Sequence, residues 1–461
     1  MSGRALLGAA AVGAAALLGA GAAPAAAVGG DQVTFGDPAG NASTDGPFAI
    51  AGGPDGNLWY TAVLSDRIGR ITPAGTITTF GHAEIDAPVG IVAGPDGNLW
   101  FTSSGNDRIG RITPGGAVTT FTSAEVDSPR GIAVGPDGNL WFTSALNDRI
   151  GRITPAGAIT TFADPGGAAS TDGPVGITAG PDGNLWYTNL LNHRIGRITP
   201  SGTITTFGSA EVNGPEPITA GPDGNVWFTS QNNNRIGRVA PDGTITTFAA
   251  VGTNTPRGIV AGPDGNLWFT SAGNNRYGRI TPTGTVDVIP FSGGTVAVST
   301  PVGLTFGPDR NLWLASFDSD RIGRVQAYRC AGRAATVILD LGDVPTSGDD
   351  VVVGTVGDDT INAGDGKDTV CGGRGNDTIR GGTRADLAKG GLGNDLIIGG
   401  KGSDDLRGEG GDDVVKAGEG NDVADGGSGN DRLVGGIHRD TCHGRTGRDT
   451  ATQCEVVTGV P

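Results

Sequence analysis

From residue 350 onward an aspartate recurs at every ninth position: Asp350, Asp359, Asp368, Asp377, Asp386, Asp395, Asp404, Asp413, Asp422, Asp431, Asp440 and Asp449. One frame surrounds most of them, as in GGRGNDTIR (372–380), GGLGNDLII (390–398), GGKGSDDLR (399–407) and GGSGNDRLV (426–434). Carboxylates at fixed spacing, among glycines that let backbone carbonyls come close, offer the oxygen ligands a hard cation takes. The apolar residue two places after the aspartate (Ile379, Ile397, Leu406, Leu433) would fill a thin core. Without a cation, carboxylates this crowded over so little core predict a disordered segment, so binding and folding would be one event. The bland alternative is an acidic, glycine-rich linker.

The frame resembles G-G-x-G-x-D-x-U-x, the nonapeptide of RTX (hemolysin-type) proteins. That resemblance implies calcium, several ions each shared between adjacent turns, and a parallel β-roll over 345–461 ending in a C-terminal cap. The calcium ligands it implies are Asp350, Asp359, Asp368, Asp377, Asp395, Asp404, Asp413, Asp422 and Asp431. Two units are worn: Arg384 and His438 replace the second loop glycine, so sites beside those turns are expected to be weak or empty. His438 and His443 flank Cys442, and a degenerate capping turn is the preferred reading over a transition-metal site. The four cysteines allow three connectivities. The expected pairs are Cys330–Cys371, tying 329–344 (the linker) to the early roll, and Cys442–Cys454, stapling its last turn.

A different repeat fills residues 28–328. The stretch GPDGNLWFTS stands at 94–103 and returns unchanged at 135–144 and 262–271. The tryptophans Trp59, Trp100, Trp141, Trp186, Trp227, Trp268 and Trp313 are spaced 41, 41, 45, 41, 41 and 45 residues apart. One aromatic anchor per unit, at a period in the low forties, predicts propeller blades. In the second copy the four strands read VGIVAG, LWFTS, RIGRIT and AVTTF, with Asp-Gly suggesting a type I′ hairpin. Blade seven lacks an outer strand, and Val33–Phe35 is expected to supply it. The fold class is therefore all-β: a seven-bladed β-propeller closed by an N-terminal outer strand, then a parallel roll.

Copies converge at the central mouth. The residues after each linker proline are Phe48, Val89, Arg130, Val175, Glu216, Arg257 and Val302. The residues three after each tryptophan are Ala62, Ser103, Ser144, Asn189, Ser230, Ser271 and Ser316. Both rings are expected to face a ligand on the pseudo-axis. Arg130, Glu216 and Arg257 break the repeat there, and two guanidiniums with one carboxylate could hold an anionic or polar ligand. An internal Glu–Arg network plugging the channel is the competing reading. The arginines of RIGR recur in every blade and are read as blade-to-blade salt bridges and stem packing.

The blade consensus GPDGNLWFT…NRIGRIT…G.ITTF closely resembles the streptogramin B lyases (the virginiamycin B lyase family) over about 33–328. The resemblance implies magnesium-assisted opening of a cyclic depsipeptide antibiotic, with a His after the proline of two late blades and a Glu after the last WF. Here Arg257 and Val302 stand at the histidine positions and Thr300 precedes the last of these prolines. Ser316 or Phe317 stands at the acid position. His82 and His193 have no partner histidine or clustered acid at compatible spacing. The fold is kept and the catalytic set is not found.

Three functions remain open. The first is a secreted, calcium-binding protein whose propeller mouth holds a small molecule, glycan or protein. The second is a divergent metal-dependent carbon–oxygen lyase, for which alone magnesium would matter. The third is an adhesive surface protein. Residues 1–27, with Arg4, an Ala/Leu core and Ala25–Ala27, read as a signal peptide, so the localisation expected is extracellular. No later segment is apolar enough to span a membrane. A net charge of −16 without a basic stripe argues against nucleic acid.

Overall fold

The structure is a computed structural model that describes residues 32–36, 45–164, 171–291, 298–325, 328–331, 333–339, 343–355 and 357–460. The expected signal peptide, 1–27, lies outside the described residues.

Seven four-stranded antiparallel sheets make up the first unit. In the second blade they run Pro88–Ala93, Leu99–Ser103, Arg108–Ile112 and Val118–Thr122. Strand two is buried at every position, because its alternating sides pack against both neighbouring blades. Trp100, for example, clusters with Ile132, Leu140 and Phe142 of blade three. Its indole N–H donates to Asp96 at 3.0 Å. Arg111 covers both Trp100 and Phe121, 5.6 and 5.7 Å from their ring centroids. Its guanidinium then donates to the Pro155 carbonyl of the next blade at 3.2 Å. The repeated arginines thus bridge blades through carbonyls, while their acidic partner, Asp96 for Arg111, lies in the same blade.

Val33 pairs with Arg324 and Phe35 with Ile322, so Gln32–Phe35 completes blade seven. Phe35 stacks on Trp313 at 5.5 Å, as the outer phenylalanine of other blades does on its own tryptophan.

The Pro-Asp-Gly turns are not type I′. Gly94 N–H donates to Asn98 and Gly97 N–H to Gly94, and Gly97 alone takes a positive φ, 74°. This is a type I turn with a glycine bulge: Pro95 locks its own φ near −65°, which forbids the primed turn.

The second unit is a parallel roll of two sheets, of eight and six strands. Strands pair with those 18 residues away, as Ile379 with Ile397, so each nonapeptide is half a coil. Val352, Val370, Ala388, Leu406, Ala424 and Cys442 from one sheet meet Ile361, Ile379, Ile397, Val415 and Leu433 from the other. The cysteines are bonded as Cys330–Cys371 and Cys442–Cys454. Residues 329–344, expected as a linker, carry strand Val337–Ile338, which pairs with Val352 and Val353 of the roll. Val337 packs into the roll core, and Ile338 packs beside Leu304, Leu312 and Tyr328 at the end of the propeller.

Candidate calcium rows and propeller mouth

The roll places the aspartates in two rows. Along one row Asp350, Asp368, Asp386, Asp404 and Asp422 each donate a backbone N–H to the Oδ1 of the next aspartate, at 2.8–3.0 Å. Asp359, Asp377, Asp395, Asp413 and Asp431 repeat this on the other edge. Oδ1 is thereby satisfied. The Oδ2 atoms of Asp368, Asp377, Asp386, Asp395, Asp404, Asp413, Asp422, Asp431, Asp440 and Asp449 are buried and accept no hydrogen bond. Such oxygens need a proton or a cation. Burial drives the metal-free carboxyls upward, to about 7 at Asp377, Asp386 and Asp413 and to about 6 at Asp395 and Asp404.

The glycine that opens most units explains the room. A Cβ on Gly390 would lie 2.1 Å from Asp395 Oδ2 and 2.9 Å from the Gly408 carbonyl. A carboxylate of one coil and a carbonyl of the next therefore converge beside a missing side chain. Among the described residues, no three His, Cys, Asp or Glu side chains converge on a metal position. A cation here would draw on backbone carbonyls as well as carboxylates, the mixed oxygen set calcium accepts.

The rows differ from the expected set at both ends. Asp350 Oδ2 accepts from the Thr346 N–H and hydroxyl, and Asp359 Oδ2 from the Thr355 N–H, so neither is orphaned. Asp386, Asp440 and Asp449 sit in the rows like their neighbours. Their worn turns still adopt the glycine conformation, with φ 73° at Arg384 and 93° at His438. Sequence reading passed over Glu409 and Arg445, which also hold positive φ in place of glycine. It also passed over Ala363 and Ala417, which open two units where glycine opens most others and put a methyl in the roll core.

In the propeller, the inner strand bulges just after its proline, as between Pro88 and Ile91. The carbonyl released there is taken by a threonine of the preceding blade: Thr102 donates to Arg130, Thr188 to Glu216 and Thr229 to Arg257, at 2.6–2.8 Å. This ring holds the mouth residues in place, and the W-x-T pattern could have revealed it. Blade seven breaks it with Ala315.

Arg257 and Glu216 are brought together, at 3.3 Å, with the Glu216 side chain only 12% exposed. Arg130, in blade three, makes no ion pair or side-chain hydrogen bond among the described residues. Phe48 and Phe317 meet edge to face at 6.3 Å. The serine ring does not line the mouth. Ser103, Ser144, Ser230, Ser271 and Ser316 are fully buried. Ser103 Oγ accepts the Asp86 N–H and donates to the Asp86 carbonyl, pinning its own linker. Thr300 bonds Asp318 through its hydroxyl.

Fold and sites define a seven-bladed propeller joined to a parallel roll with aspartate rows. Residues 33–172 and 167–333 match the virginiamycin B lyase family, and the chain belongs to that family. Residues 345–379, 380–415 and 417–451 match the RTX calcium-binding nonapeptide repeat, which implies calcium binding. A streptogramin B lyase structure is 31% identical, with a TM-score of 0.58, covering 64% of this chain and 96% of its own. Virginiamycin B lyase from Staphylococcus aureus is 34% identical, with a TM-score of 0.57 over 64% of this chain and 97% of its own. A catalytically inactive variant of the Staphylococcus aureus enzyme, solved with quinupristin, has the same identity and a TM-score of 0.58, covering 64% and 98%. No curated protein sequence matches the chain. The repeats and the two disulfides are compatible with an extracellular location, and no helix of the described residues is long and apolar enough to cross a membrane.

Proposed function

We propose that this is an exported binding protein: its propeller mouth holds an anionic or polar ligand, and its roll is held folded by calcium. One observation carries the reading. At the position where the family resemblance implies a histidine base stands Arg257, ion-paired to Glu216. A guanidinium keeps its proton and cannot act as that base. Val302 and Phe317 offer no acid or base either. The Arg257–Glu216 pair is neutral as a unit, which leaves Arg130 as the mouth's uncompensated charge and its anion-binding group.

In the roll, the paired Asp rows and the carbonyls facing them would hold calcium, from Asp368 through Asp449. Calcium bound there neutralises carboxylates that otherwise resist ionisation. Export rests on residues 1–27 and fits the oxidised cysteines.

The mouth is tested with a panel of small carboxylates and acidic sugars, followed by thermal unfolding of the calcium-loaded protein. A ligand at a hundred times its Kd adds about 2.7 kcal/mol. The stabilisation is expected in the natural chain and is lost in Arg130→Ala. An equal shift in both proteins would remove Arg130 from the site.

A further inference from the structure

The loops around the mouth face carry a charge asymmetry that their structural task does not require. At each blade junction a loop side chain accepts the N–H of the next linker. Asp320, Asp66, Asp107 and Asp148 do so for Gly46, Ala87, Ser128 and Gly173, all at 2.8 Å. His193, Asn234 and Asn275 do the same for Gly214, Thr255 and Thr300, at 2.8–3.1 Å. A neutral acceptor therefore suffices. The residue before each donated N–H divides the ring in the same way: Asp45, Asp86, Asp127 and Asp172 on one arc, Asn213, Asn254 and Ser299 on the other. At the junction of Asn275 and Ser299 the one carboxylate is Asp318, bonded to the Thr300 hydroxyl, two other junctions have none, and four bring two carboxylates together.

None of these eight carboxylates is buried. Desolvation and the neighbouring Asp148 raise Asp172, and desolvation and Asp320 raise Asp45, as expected where like charges are held together. No lysine or arginine occurs in the linkers or in the loops after strand two. Of the arginines that open strand three, Arg108 pairs with Glu84 and Arg149 with Glu125, while Arg67, Arg194 and Arg321 make no ion pair among the described residues.

The same arc carries three exposed leucines, while the other arc exposes Val251, at 88%, in the linker before Pro256. Leu64, Leu146 and Leu191 are 59%, 71% and 61% exposed. Each is fixed beside an arc aspartate, its N–H donated to the carbonyl of Asp45, Asp127 or Asp172. At this place the other arc has Asn232, Gly273 and Asp318, and the acidic arc has Gly105 beside Asp86, so leucine is not a folding requirement. Leucine beside paired carboxylates matches a partner that presents cations next to apolar groups.

We propose that the arc formed by blades one to four docks a cationic, amphipathic polypeptide segment, whose lysines or arginines meet the Asp pairs while its apolar side chains cover Leu64, Leu146 and Leu191. This surface is separate from the Arg130 mouth and does not rest on that reading.

The test uses full-length, calcium-saturated protein and two short synthetic peptides, one of lysine and leucine and one of glutamate and leucine. The lysine peptide is expected to bind with salt-sensitive affinity, and the glutamate peptide not at all. Changing Asp45, Asp86, Asp127 and Asp172 together to Asn copies Asn213 and Asn254 and keeps every junction acceptor. It is expected to weaken binding at least about tenfold. Leu146→Asn with Leu191→Asn, which copies Asn232, should also weaken binding but leave its salt dependence unchanged. Tryptophan emission verifies the fold of both variants. Unchanged affinity in the Asn variant would put the peptide on the acidic roll and overturn the proposal, as would equal binding of the glutamate peptide.

Discussion

Metal-free protein at pH about 8 is expected to lose its roll and to regain it near pH 5 without any metal. In the folded, metal-free roll the buried carboxyls stay protonated up to about 7 at Asp377, Asp386 and Asp413 and about 6 at Asp395 and Asp404. In the unfolded chain they ionise near about 4. Between those limits the folded roll binds more protons, so its stability falls as pH rises and is gone above the folded values. Calcium reverses the trend, since it needs the ionised form. The propeller runs the other way. Burial would raise Asp96, but hydrogen bonds from Asn98 and Trp100 outweigh it and hold the carboxyl low. That contribution persists until pH falls below the ordinary carboxylate range, so pH 5 leaves the blades intact. Amide hydrogen exchange resolves the two units. Roll amides protected at pH about 8 in chelator would show that the thin core suffices without the ion.

Trp141→Ala should be among the most damaging single changes in the propeller. The indole is fully buried between blades three and four, against Ile177, Leu185 and Tyr187. It stacks on Phe162 at 5.3 Å and lies under Arg152. Removing it leaves a large cavity, strips Asp137 of an N–H donated at 3.0 Å, and takes away the surface on which Arg152 rests. The expected loss is about 3–5 kcal/mol, read from urea unfolding followed by circular dichroism. A loss under about 1 kcal/mol would mean that neighbouring blades close over the space, against the close packing described.

Periodicity made the architecture legible. Seven tryptophans and twelve aspartates each mark one unit, so a constant spacing translates directly into blades and half-coils. The missing outer strand of blade seven could be traced to residues 32–35 because the copied ITTF segment has a counterpart there. Site detail was less legible, for local reasons. The Asp-Gly pair pointed to a primed turn, but the proline before it decides the φ angles. The serines after strand two looked like mouth residues by spacing, yet a serine at a strand end bonds its own linker first. That Arg257 would pair with Glu216 while Arg130 would not depends on blade adjacency, five beside six. Which aspartate oxygens are orphaned could not be read from a one-dimensional repeat. It depends on the 18-residue ladder, and on Thr346 and Thr355 capping the first two members.

The proposed binding role predicts that the propeller keeps the lyase fold without its ring-opening chemistry. The direct measurement incubates calcium-loaded protein with a streptogramin B and magnesium and follows the antibiotic by chromatography, because an elimination that only opens the ring leaves mass unchanged. Intact antibiotic across a wide range of protein concentration is the predicted result. Linear product, abolished by chelation, would contradict the claim and make Glu216 the first metal ligand to examine.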